Sequence, residues 1–279
     1  MITKIFDAHI HCSESKDDLL LTYAKFNGLE YTLRELLSQM EGQGVEGGLL
    51  LSPPLKDGTI FPNEGIMDLC RRSRGMLSPV LTVEPSRSTV ERTLELARKH
   101  ASEVRGFKIR LGYVEVFATD PIFDPLYDYA QSRGLPVLFH TGDTATSSGS
   151  LAHSHPLTLD ALANKREDLK IIACHFGNPW IADVAELIYK HTNVYADISG
   201  LFTGRESEAS TYGKRFLDSL GQRLSEAVYF VGGTERILFG TDYPVETISS
   251  AISFARRLKV DEGDLSKIFY DNAGRVFAL

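Results

Sequence analysis

The stretch Thr3-Lys4-Ile5-Phe6-Asp7-Ala8-His9-Ile10-His11 (residues 3–11) reads as a β-strand that begins apolar and ends in ionisable side chains. Residues two apart on a strand share a face, so His9 and His11 project together, with Ala8 and Ile10 expected toward the outer layer. The same pattern returns along the chain. His140 closes Pro136-Val137-Leu138-Phe139, His175 closes Ile171-Ile172-Ala173-Cys174, and Asp242 follows Ile237-Leu238-Phe239-Gly240-Thr241. From His11 to His140 is 129 residues, from His140 to His175 is 35, and from His175 to Asp242 is 67. With one strand and one helix taking about 31 residues, these side chains fall on strands one, five, six and eight of a repeating βα unit.

The rest of the chain fills in that repeat. Strand candidates are Thr3–Ala8, Val45–Leu51, Leu77–Val83, Val104–Ile109, Pro136–Phe139, Leu169–Cys174, Asn193–Ile198 and Arg236–Phe239. Helix candidates lie between them at Leu33–Glu41, Glu64–Arg74, Thr89–Glu103, Ile122–Ser132, Pro156–Arg166, Trp180–His191 and Tyr212–Leu220. Two more follow at Thr247–Leu258 and Glu262–Phe269. Eight strands, each followed by a helix, indicate a parallel sheet with right-handed crossovers. Eight is the number that closes into an α/β (β/α)₈ TIM barrel, with an open doubly wound sheet as the alternative that chain order leaves standing. No linker-like stretch divides residues 1–279, so a single domain is expected.

Composition narrows the function. The 279 residues carry 30 Lys and Arg against 37 Asp and Glu, a formal charge of −7. Without basic blocks, such a chain is a poor candidate for gripping nucleic acid. No apolar run reaches the roughly 18 residues of a membrane span, and the start lacks the apolar core of a signal peptide. Three widely spaced cysteines make no disulfide framework. These features lead us to expect a cytoplasmic enzyme with a small-molecule substrate and no membrane partner.

Barrel enzymes gather their chemistry at the C-terminal ends of the strands. Histidines and an aspartate at that rim suit a divalent ion, zinc first, with manganese, iron or cobalt as alternative occupants.

In these residues the chain resembles the amidohydrolase superfamily, specifically its amidohydrolase-related branch, which also holds aminocarboxymuconate-semialdehyde decarboxylase. The matching motifs are Asp-Ala-His9-Ile-His11, Gly106-Phe-Lys108-Ile, Leu-Phe-His140-Thr-Gly, Ala-Cys-His175-Phe-Gly, Leu-Phe-Gly-Thr-Asp242-Tyr-Pro and Asn272-Ala-Gly-Arg-Val-Phe. The resemblance implies a distorted barrel with one divalent metal ion. It implies His9, His11, His140 and Asp242 as ligands, and His175 beside the bound water or the substrate. The reaction expected first is hydrolysis of a small ester, lactone or amide, with Asp242 as general base toward a water made acidic by the ion and His175 polarising the reacting oxygen. Decarboxylation by the same residues is the alternative. A catalytically silent metal- or metabolite-binding barrel is a third.

Lys108 and Arg110, two apart at the end of strand four, form a pair fit to hold a carboxylate or phosphate-like group, which makes the substrate anionic. The resemblance also admits a carboxylated Lys108. Arg205 is a further anion candidate, and His153 and His155 are candidates on the loop after strand five. Asp7 and Asp197 are expected to support a ligand through a hydrogen bond. Strand alternation turns Cys174 away from His175. Specificity is expected from the loops Cys12–Thr32, Pro53–Pro62, Gly112–Pro121, Gly142–His155 and Gly200–Thr211. Dimers are common among such barrels, and a homodimer stays open.

Overall fold

The computed structural model describes residues 4–203 and 210–279. Its eight strands run in chain order and all pair in parallel. They are β1 (Ile5–His11), β2 (Val45–Leu51), β3 (Leu77–Val83), β4 (Gly106–Ile109), β5 (Val137–Phe139), β6 (Ile171–Ala173), β7 (Val194–Asp197) and β8 (Ile237–Leu238). Backbone bonds join the two ends of the sheet: Ala8 N–H to Phe239 O (2.9 Å), Asp242 N–H to His9 O (2.8 Å) and His11 N–H to Tyr243 O (2.8 Å). The sheet is therefore a (β/α)₈ barrel, distorted by the shortness of β5, β6 and β8. No helix among the described residues is long and apolar enough to cross a membrane.

Alternation sorts the strand residues into two layers of packing. Phe6, Ala8, Leu49, Leu51, Val80, Leu138, Ile172, Cys174 and Leu238 form one cluster inside the barrel. Their neighbours Ile5, Ile10, Leu50, Leu81, Val137, Phe139, Ile171 and Phe239 belong to the cluster shared with the helices. Ala8 thus faces inward, contrary to the simple alternation expected of His9-Ile10-His11. A register shift between Asp7 and Ile10 explains it: the irregularity resets the pleat, so both Ala8 and the histidines reach the interior. Gly48 lies beside this kink, where a Cβ would stand 2.5 Å from Ile10 Cδ1.

Several element boundaries differ from the sequence expectation. β1 extends through His11, while Thr3 lies outside the described residues. The helix expected at Tyr212–Leu220 runs from Thr211 to Val231. Its buried stripe continues through Leu224 and Val228, and Gly221 packs against Arg257 and Phe254 rather than ending it. The helix expected at Glu262–Phe269 ends at Ser266; a wider turn over Lys267–Asp271 leads into a last helix, Asn272–Phe277. That last helix closes the floor of the barrel. Its Ala273, Val276 and Phe277 join the interior cluster, and Asn272 Nδ2 donates to the carbonyls of Thr234 and Ile237, each at 2.7 Å. The loop Cys12–Thr32 contains a short helix, Leu21–Phe26, that its polar sequence did not announce.

Candidate active site

Above the apolar floor the inward positions become ionisable. His9 Nε2 lies 3.6 Å and His11 Nε2 3.1 Å from Asp242 Oδ1. The three ligand atoms all fall within 4.8 Å of one another. Hydrogen bonds on the far side of each ring set the tautomers. His11 Nδ1 is 3.0 Å from the carbonyl of Leu51, which only accepts, so Nδ1 carries the hydrogen and Nε2 keeps its lone pair. His9 Nδ1 is 3.1 Å from Asp197 Oδ2, with the same consequence. Burial and the nearby Lys108 charge push His9 down to about 4, so its ring is neutral at physiological pH. Burial acts to raise the Asp242 carboxyl, but the close approach of His11, His175 and His9 holds it well below its usual range. Two imidazoles, each turning Nε2 inward, and one carboxylate converge, a donor set that fits a divalent cation.

The backbone at Asp242 and His175 is strained. Asp242 has φ +54°, and the turn after β6 carries His175 at φ +61° and Phe176 at +44°. Such left-handed residues persist where surrounding contacts hold them. Here the His175 N–H donates to Asp197 Oδ1 (2.9 Å), and its Nδ1 donates to the Ser199 carbonyl (3.0 Å), leaving Nε2 available to the site. The His175 ring lies 5.0 Å from that of His9 and 4.9 Å from that of His140.

His140 reaches the rim but stands outside the triad. Its Nε2 is 2.9 Å from the carbonyl of Asp143, three residues on, so Nδ1 is the nitrogen that keeps a lone pair. Its ring also packs against Tyr113, at 4.7 Å.

The expected cation pair is split. Lys108 is 4% exposed, and its Nζ lies 2.8 Å from Cys174 Sγ, beneath the histidines. Arg110 instead turns toward Glu84, Nη1 to Oε1 at 3.7 Å. Cys174 therefore points into the barrel, not away from the site. Strand β6 ends at Ala173, and the left-handed turn that follows cancels the alternation that would have separated Cys174 from His175. Burial keeps the Cys174 thiol protonated.

Asp197 does what was expected of a supporting carboxylate, and it also caps the following turn through Ser199 N–H (3.1 Å). Asp7 does not touch an imidazole. It accepts from the N–H groups of His9 (3.1 Å) and Thr241 (3.0 Å), and burial raises it to about 7. His153 packs on Phe117 and His155 on Trp180, away from the cluster. Arg205 lies outside the described residues.

Sequence reasoning missed Glu246. Its buried Oε1 accepts from the N–H groups of Leu201 (2.7 Å) and Phe202 (3.3 Å), and so ties the chain beyond β7 to the segment beyond β8. It also missed Ser199 and Tyr113. None of the three carries a local signal, because each acts on a partner brought near only by barrel closure.

Comparison with known proteins bears on the family and the fold. Among curated relatives, the chain is 28% identical over 137 residues to the gamma-resorcylate decarboxylase of Polaromonas sp., spanning 46% of this chain but only 40% of that enzyme. It is 20% identical over 290 aligned positions to the gamma-resorcylate decarboxylase of Rhodococcus jostii, covering 87% of this chain and 86% of that enzyme. In fold it is similar to a dihydroxybenzoic acid decarboxylase from Polaromonas sp. solved with manganese and the inhibitor 2-nitroresorcinol, with a TM-score of 0.67, 17% identity, and 99% and 97% of the two chains covered. Residues 7–279 match the amidohydrolase family model, a span that holds His9, His11, His140, His175 and Asp242 alike, and the chain belongs to that family.

Proposed function

We propose that this enzyme is a metal-dependent decarboxylase of a small aromatic acid. One observation carries the reading: both curated relatives matched are decarboxylases of such an acid. This reverses the order of reactions drawn from the sequence, where hydrolysis stood first, because the motifs alone are common to both. His9 Nε2, His11 Nε2 and Asp242 would hold one divalent ion, with His140 Nδ1 beside them. Zinc suits the nitrogen donors, and manganese, present in the Polaromonas structure, is the alternative. When bound, the ion supplies positive charge that fixes the acid's oxygens and steadies developing negative charge.

The chain's own groups manage the proton. Loss of carbon dioxide breaks a carbon–carbon bond and leaves its electron pair on the ring carbon, which must then receive a proton. Gly200 lets the chain pass close behind both groups: a Cβ there would stand 2.7 Å from Asp242 Oδ2 and 2.8 Å from His175 Nδ1. Only glycine leaves that approach open. Asp242 Oδ2, a carboxylate at rest, relays a proton from solvent to that carbon, while His175 Nε2 positions an oxygen of the acid.

The test is to supply metal-loaded protein with 2,6-dihydroxybenzoate, and separately with lactones and amides. The expected result is carbon dioxide release from the acid. Acid release from a lactone or amide, with no carbon dioxide from any carboxylate, would overturn the assignment.

A further inference from the structure

The long helix Thr211–Val231 turns one side to the barrel and the other to solvent. Leu217, Leu220, Leu224 and Val228 are buried. The opposite side carries Tyr212, Arg215, Ser219, Gln222, Glu226 and Tyr229, all exposed. These six are spaced alternately three and four residues apart, the repeat by which two helices lie side by side. The ends of the stripe are aromatic: Tyr212 is 83% exposed and Tyr229 90%. Phe216 and Phe230 are exposed beside them, as is Tyr189 on the neighbouring helix Ile181–Lys190, whose ring lies 5.2 Å from that of Phe230. Aromatic rings grouped on a surface mark a place of contact with another protein.

The charges indicate which protein. Arg215 lies three residues in from Tyr212, and Glu226 lies three residues in from Tyr229. Turned end for end, the stripe is therefore its own complement: Tyr212 falls opposite Tyr229, Arg215 opposite Glu226, and Ser219 opposite Gln222. Asp218 and Arg223 also fall opposite each other, although Asp218 already pairs with Arg257 (2.6 Å) and Arg223 donates to the Pro179 carbonyl (2.5 Å). Arg215 makes no ion pair among the described residues, and Glu226 accepts from the neutral amide of Gln222 (2.7 Å). A two-fold axis produces this end-for-end arrangement, because it sets one patch against the same patch reversed. With a formal charge of −7 on each chain, two copies repel unless opposite charges meet where they touch.

We propose that a second copy of this chain docks on this helix. The two helices run antiparallel about a two-fold axis at the level of Leu220 and Gly221, and each Arg215 faces the partner's Glu226. The tyrosines close both ends of the contact and keep water from the charges between them. The stripe lies on the outside of the barrel, so the assembly stands apart from the reading of the reaction.

The test is sedimentation of the full chain at micromolar concentrations, where the wild type should be a dimer. Arg215→Glu and Glu226→Arg each set like charges together twice in a symmetric dimer, and each alone should weaken it by on the order of a hundredfold. Mixing the two variants should restore the dimer, since one copy of each brings opposite charges back together at both contacts. Tyr229→Ala, which removes an aromatic cap from both ends, should weaken the dimer by roughly tenfold or more. Melting temperature and circular dichroism check that each variant is folded. A monomeric wild type, or single variants that dimerise as tightly as it does, would overturn the proposal. So would single variants that dissociate but fail to recover on mixing, because the antiparallel register requires that recovery.

Discussion

The lower half of the barrel and its mouth are built from the same strands, yet they are opposite in character. Below, Phe6, Leu49, Val80, Leu138, Ile172 and Leu238 fill the interior with hydrocarbon over the C-terminal helix. Leu138 lies two residues before His140, and Leu238 four before Asp242. Hydrocarbon needs no particular partner to be stable when buried. The mouth needs one for nearly every group, because a buried polar atom is costly until it is hydrogen-bonded. Asp197 meets that demand most fully, bonding His9, His175 and Ser199 at once. The floor therefore carries stability through shape, and the mouth carries chemistry through pairing.

The sharpest way to break this division is Asp242→Ala. Turnover should fall by on the order of a thousandfold or more, and metal measured by mass spectrometry should fall with it, as it should for His9→Ala. Full metal content in either variant would remove that residue from the ligand set. Phe277→Ala attacks the floor instead. It should cost about 3–5 kcal/mol in denaturant unfolding and leave metal content unchanged; loss of metal in the folded variant would show that the halves are not independent. His175→Asn should keep the metal and lower turnover by roughly 10²–10³-fold, whereas wild-type rates would take His175 out of the mechanism.

The smallest effect belongs to Glu246. Burial raises its carboxyl well above the usual 4.5, against the pull of the Leu201 and Phe202 N–H groups. The folded protein thus holds this proton more tightly than the unfolded chain does. Its contribution is fully present below pH 4.5 and is lost as pH rises through the folded value. Glu246→Gln keeps an acceptor for the two N–H groups and cannot ionise. Its melting temperature should gain on the wild type steadily as pH rises above about 4.5, and a gap independent of pH would contradict the buried-proton account.

Much of the site was legible because strand and barrel periods are regular. His9 and His11 were paired by the two-residue repeat, and His140, His175 and Asp242 were placed on one rim by the length of the βα unit. The failures share a cause. Cys174 was turned the wrong way because a left-handed turn follows β6, and Ala8 because β1 is irregular after Asp7. Neither interruption has a local signature. Lys108 and Arg110 share a strand face, as expected, but Cys174 and Glu84 draw them apart.

The amino-acid order by itself determined the number of strands, the rim on which chemistry collects and which histidines and aspartate gather there, since all three follow from repeat lengths along the backbone. Only the tertiary structure decided which nitrogen of each histidine faces the site, that His140 Nε2 meets the Asp143 carbonyl, and that Arg110 meets Glu84 while Lys108 meets Cys174. Those choices depend on partners distant in the chain, whose approach is set by closure of β8 onto β1 and by the need to satisfy each polar atom that closure buries.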